Sequence, residues 1–104
     1  MSAHFIYVTT PDAATAERIG RTLVEERLAA CANILPAMRS IYRWKGAVEQ
    51  ADEAVLILKT AADRVSALTE RVAALHPYET PCIVALPIAA GNPAYLDWIT
   101  AETH

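Results

Sequence analysis

A chain of 104 residues, 54% of them hydrophobic, is the size of one ordinary domain and can build a core without disulfides or metals. Twelve acidic against nine basic side chains give a formal charge of −3, which offers nucleic acid and anionic membrane no general attraction. Two cysteines, Cys31 and Cys82, match no CxxC spacing and are too few for a disulfide framework, so the composition predicts a soluble protein of the reducing cytoplasm.

Met1 to Asp12 lacks a basic n-region, which predicts no signal peptide, and the apolar stretch Cys82 to Ala90 falls far short of the roughly 20 residues of a membrane helix. "HFIYVTT", residues 4 to 10, is a β-branched and aromatic run that predicts a central strand with apolar residues on both faces. Thr10 is then placed to cap a helix with Pro11 at its first position, and Ala16, Ile19, Leu23 and Val24 recur at helical spacing up to about Leu28.

Cys31 to Trp44 reads as extended, with Pro36 restricting it to an edge position or a bulge. Lys45-Gly46 is a turn signal, and Ala47 to Lys59 runs back as a strand with a polar first half and a continuously apolar second half. Thr60 and Asp63 have the form of a capping box ahead of Val65, Leu68, Val72 and Leu75 on one helix face. That helix ends at His76, because a residue before proline is pushed out of the α region. "PCIVALPIA", residues 81 to 89, reads as a fourth strand, and Asn92-Pro93 opens a short last helix with Tyr95, Leu96, Trp98 and Ile99.

The order strand, helix, strand, strand, helix, strand, short helix predicts one α+β domain over residues 1–104. Its pattern is that of a ferredoxin-like sandwich: βαββαβ, an antiparallel sheet in the order 4-1-3-2, and two helices on one face. Strands two and three are too long for it. Fourteen extended residues reach about 46 Å, against under about 20 Å for a typical strand, so the hairpin overhangs. Its end carries Ile41, Tyr42 and Trp44 where no helix of the same chain reaches, which predicts that neighbouring subunits cover it.

"VTTPD", "LVEERLAACANILP", "SIYRWKG", "LILKT", "HPYETP", "LPI" with "GN", and "YLDWI" resemble, in order and spacing, the CutA divalent-cation-tolerance family over nearly the whole chain. The resemblance implies a cytoplasmic ferredoxin-like homotrimer, similar in architecture to the PII signalling proteins. It also implies a role in tolerance of copper and other divalent ions, with metal binding but no enzymatic reaction and no required cofactor. Two positions depart from the pattern. Cys82 stands where the family usually has an acidic residue, and Ala37 where it often has glycine. A thiolate in place of a carboxylate would favour Cu(I) or Zn(II).

The candidate metal ligands are Cys31, His76, Glu79 and Cys82. Their spacing is no standard zinc signature, and helix termination and strand initiation by Pro77 and Pro81 account for much of "HPYETPCI" without a metal. Cys31 also reads as a small buried hydrophobe, and as a ligand only at a subunit interface. The expected sheet places Cys31 and Cys82 at diagonal corners, about 14 Å apart from strand spacing alone, which excludes an intrachain disulfide and leaves an intersubunit one open. Lys59 reads as snorkelling to the sheet edge rather than binding an anion, and His4 and His104 as solvated ends.

Rival functions on this topology fare poorly. An RNA-recognition domain needs a basic, aromatic block where "EQADEAVLIL" supplies acids and aliphatics, and a phosphate-cradling first loop needs the glycine and arginine that "TTPDAAT" lacks. No nucleophile motif or carboxylate pair argues for catalysis. The alternatives to a metal-binding trimer are a PII-like trimer taking a small anionic ligand between subunits, and a structural trimer anchoring partner proteins.

Overall fold

A computed structural model describes residues 2–104. The elements are β1 (Ala3–Thr10), α1 (Ala13–Glu25), β2 (Cys31–Trp44), β3 (Ala47–Ala61), a single 3-10 turn (Ala62–Arg64), α2 (Val65–Leu75), β4 (Ile83–Pro87) and α3 (Pro93–Glu102). The four strands form one antiparallel sheet in the order β2-β3-β1-β4, the order expected of a ferredoxin-like sandwich.

Alternation along β1 and β3 decides where the core lies. Ile6 and Val8 with Leu56 and Leu58 point to one face, where Ile19 and Leu23 of α1 and Leu68 and Val72 of α2 close over them, all fully buried. The opposite face is open for most of its length. There α3 covers one end, with Ile99 buried against Ala3 and Ala30.

The hairpin overhangs as its length requires. Pairing of β1 with β3 stops at Thr10 and Ala54, whereas β2 and β3 continue paired from Met38 and Glu53 out to Trp44 and Ala47, in a molecule 44 Å along its longest axis. Lys45 (φ 48°) and Gly46 (φ 83°) both take left-handed backbone, the two-residue turn that matches the twist of paired strands. The register shifts between Leu35 and Met38, so that Pro36 and Ala37 oppose Ala54 alone. Pro36 thus sits both on an edge strand and at a bulge.

Several boundaries differ from expectation. Asp12, not Thr10, caps α1, its Oδ1 accepting from Thr15 N at 2.7 Å, and Pro11 precedes the cap. Thr10 instead ends β1 and donates its hydroxyl hydrogen to the carbonyl oxygens of Asp12 (3.0 Å) and Ala54 (3.3 Å). Helix α1 stops at Glu25 rather than Leu28, because Arg27 turns left-handed (φ 60°) and Leu28 N donates back to Leu23 O at 2.9 Å, closing a Schellman motif. The Thr60–Asp63 capping box does not form. Strand β3 runs on to Ala61, and the buried Thr60 hydroxyl donates to Leu28 O at 2.7 Å.

Strand β4 is shorter than residues 81 to 89 because β1 offers partners only from His4 to Val8. The last helix begins as expected, with Asn92 capping and Pro93 at its first position. Neither terminal histidine is simply solvated. His4 lies inside β1 with Nδ1 buried and without a hydrogen-bond partner, and His104 Nε2 meets Asp63 Oδ2 at 2.8 Å.

Candidate functional site

Pro77 ends α2 by forcing His76 into extended backbone (φ −81°, ψ 137°), and residues 77–82 then pass beneath the base of the hairpin before β4 begins. His76 is 8% exposed and both its ring nitrogens are engaged. Nδ1 accepts from Tyr78 N at 3.1 Å, so the ring proton belongs on Nε2, which donates to Thr9 O at 2.7 Å. The Tyr78 ring packs on the imidazole with centroids 4.7 Å apart, and its hydroxyl donates to Glu53 Oε2 at 2.6 Å. Burial, reinforced by the Glu53 carboxylate, pushes the Tyr78 phenol well above its usual range.

Between the hairpin and this segment lies a pocket of ≈ 630 Å³. Tyr42, Trp44 and Ile41 form the hairpin wall, Glu53 lies at its root, and Tyr78, Glu79 and Cys82 face them from the 77–82 segment. A loop, rather than a helix, therefore reaches part of the overhang. Ile41 and Val48 remain 70% and 65% exposed. Lys45 Nζ stands 3.8 Å from Glu79 Oε2 and 5.5 Å from the Trp44 ring centroid.

Of the four candidate ligands, the structure brings Glu79 and Cys82 to one pocket, with His76 behind it. Cys31 stands apart at the start of β2 on the open face, its Sγ 3.6 Å from Tyr95 Oη and 3.9 Å from Lys59 Nζ. Its thiol, hydrogen-bonded to Tyr95, raises that phenol above its ordinary value. Both cysteines are free thiols. Among the described residues no three His, Cys, Asp or Glu side chains converge closely enough to hold one ion. Lys59 reaches toward the β2 edge, donating to Asn33 Oδ1 at 2.9 Å and lying 5.8 Å from the Tyr95 ring centroid.

Glu53 and Asn33 were not legible as site residues. Glu53 opens the apolar run of β3, and an acid at the edge of such a run is the signal that marks it. Asn33 comes beside Lys59 only through the shifted register after the bulge.

A four-stranded antiparallel sheet with two helices on one face and a long projecting hairpin defines a ferredoxin-like protein with its candidate site at the hairpin root. The model of the CutA1 divalent ion tolerance protein family matches residues 4–102. The chain is 52% identical over 98 residues to the divalent-cation tolerance protein CutA of Thermus thermophilus, covering 94% of this chain and 95% of that one. It is 47% identical over 98 residues to mouse protein CutA, covering 94% of this chain but only 55% of the mouse protein. The crystal structure of CutA from Xylella fastidiosa superposes over 100% of both chains with a TM-score of 0.96 at 44% identity. The chain belongs to the CutA1 divalent ion tolerance family.

Proposed function

We propose that the protein is a cytoplasmic homotrimeric divalent-cation tolerance protein that binds copper or a related ion at donor sets completed between subunits. The observation that carries this reading is the hairpin root. Glu53, Glu79 and Cys82 line a pocket there, but among the described residues no three such side chains converge closely enough to hold an ion, and the hairpin above it holds Ile41 and Val48 out to solvent. A neighbouring chain laid along the hairpin would bury those side chains and bring further donors to Glu79 and Cys82.

Within this reading Cys82 supplies the soft ligand and Glu79 a carboxylate oxygen. His76 joins the set only by giving up the Thr9 or Tyr78 bond, so in the resting chain it positions the segment. Cys31 belongs to a separate interface position on the open face. The role proposed is binding, not catalysis. Unpaired thiols fit the reducing cytoplasm, and because the structure from Archaeoglobus fulgidus is described as periplasmic, cell fractionation is the check on location. No helix among the described residues is long and apolar enough to cross a membrane.

Calorimetric titration with Cu(I), Cu(II) and Zn(II) tests the reading. Cys82→Ser should weaken Cu(I) binding by at least about tenfold, and His76→Ala should alter it by loosening the segment. Wild-type affinity in both variants contradicts the site.

A second reading, a PII-like trimer taking a small anion, is favoured by Lys59. Its ammonium makes no ion pair among the described residues and lies on the open sheet face beside Asn33 and Tyr95. Nucleotide titrations of wild type and Lys59→Gln separate this reading from the first.

A further inference from the structure

We propose that the Glu53 carboxylate of one chain pairs with the Lys59 ammonium of the next, so that each copy supplies the counter-ion its neighbour lacks. Both residues stand on β3, and Leu56 and Leu58 between them point to the helix layer, so alternation puts Glu53 and Lys59 on the open sheet face. Glu53 lies at the hairpin root, and Lys59 at the end that α3 covers, beside Tyr95. Six residues of strand hold them about 20 Å apart, beyond the reach of the two side chains, so they cannot meet within one chain.

Each group is left incomplete by its own chain. Glu53 is 8% exposed, yet among the described residues it meets no cation and receives one neutral hydrogen bond, from Tyr78 to Oε2. Oε1 keeps its acceptor capacity. A carboxylate buried without a cation is costly, and a hydrogen-bonded ammonium offsets that cost. Lys59 in turn meets no carboxylate among the described residues. Its neighbours are Asn33 Oδ1 at 2.9 Å, the Cys31 thiol and the Tyr95 ring. Other basic side chains are poorer partners: some already face a carboxylate, as Arg39 does Asp52 at 3.3 Å, and Arg43, opposite Val48, falls on the helix side of the sheet register. A threefold ring sets one patch of each copy against a different patch of the next, so an acid and an ammonium at opposite ends of one face are complementary under that rotation.

The pair requires the homotrimer proposed above but no metal. Isotope-labelled and unlabelled wild type are mixed unfolded and refolded, and the trimer fraction is treated with a water-soluble carbodiimide, which joins a carboxylate to an amine in direct contact. Lys45 and Lys59 are the only lysines, so the products are few. Lys45 should join Glu79 of its own chain, 3.8 Å away, in peptides of one isotope, and Lys59 should join Glu53 in peptides that combine both. Lys59 joined to another carboxylate, or to Glu53 in single-isotope peptides alone, overturns the proposal. Should Lys59 couple to nothing, a double-mutant cycle decides. Glu53→Gln and Lys59→Gln should each raise the concentration at which half the trimer dissociates at least about tenfold, and the double variant no further than the worse single one. Losses that multiply overturn the pair. A refolded mixture holding only monomer overturns the homotrimer and the pair with it, whereas a trimer without the pair overturns the pair alone.

Discussion

The Tyr78 hydroxyl donates to the Glu53 carboxylate across 2.6 Å, fastening the 77–82 segment to the root of the hairpin. Tyr78→Phe removes the donor while the buried carboxylate stays, so the variant should lose about 1–3 kcal/mol in urea unfolding at matched concentration. Because burial and Glu53 raise the phenol's pKa in the folded protein, this contribution is complete below the ordinary value of 10.0 and is lost as pH rises through the higher folded value. The gap between wild type and Tyr78→Phe should therefore be flat at neutral pH and shrink in strong alkali.

Gly20 lets α1 approach the sheet. A Cβ there would meet Ala32 Cβ at 2.9 Å and Leu56 Cδ1 at 3.0 Å, closer than packed atoms tolerate. Gly20→Ala gains helix propensity of about 1 kcal/mol but forces the layers apart at about 1–3 kcal/mol. The expected outcome is a net loss of stability, read as a lower unfolding midpoint.

Lys45 pays a left-handed backbone penalty at the first position of the hairpin turn (φ 48°), where asparagine is the favoured residue ahead of glycine. Lys45→Asn should raise stability by about 0.5 kcal/mol, since the exposed Lys45–Glu79 pair it removes is worth little. Thermal unfolding checks the sign.

His104 has its pKa raised, first by the Thr100 carbonyl and then by Asp63. What the pairing adds to stability is complete below the ordinary value of 6.5 and disappears as pH rises through the raised one. In an NMR titration Asp63→Asn should move the His104 midpoint down.

Most of the fold was legible from residue pattern. Pro77 stops α2 at His76, Asn92-Pro93 starts α3, and the Lys45-Gly46 turn fixes the hairpin, each through local backbone restriction. Thr60 misled because a Thr-x-x-Asp pattern reports a cap only if the threonine leaves the strand, and here its buried hydroxyl is committed to Leu28 O.

The site was less legible, because it depends on register. Counting back from the turn pairs Cys31 with Thr60, on the helix-covered face. The Pro36-Ala37 bulge shifts the pairing to Lys59 and turns Cys31 to the open face beside Tyr95. Likewise, nothing local places Glu53 against Tyr78, 25 residues on. Only the tertiary path of residues 77–82 does so.

The central claim is that one chain cannot shelter its own hairpin. Light scattering on the purified protein at micromolar concentration is the direct measurement. The account predicts three times the chain mass, with Ile41→Asp shifting the population toward folded monomer. A stable, folded wild-type monomer under those conditions would contradict it.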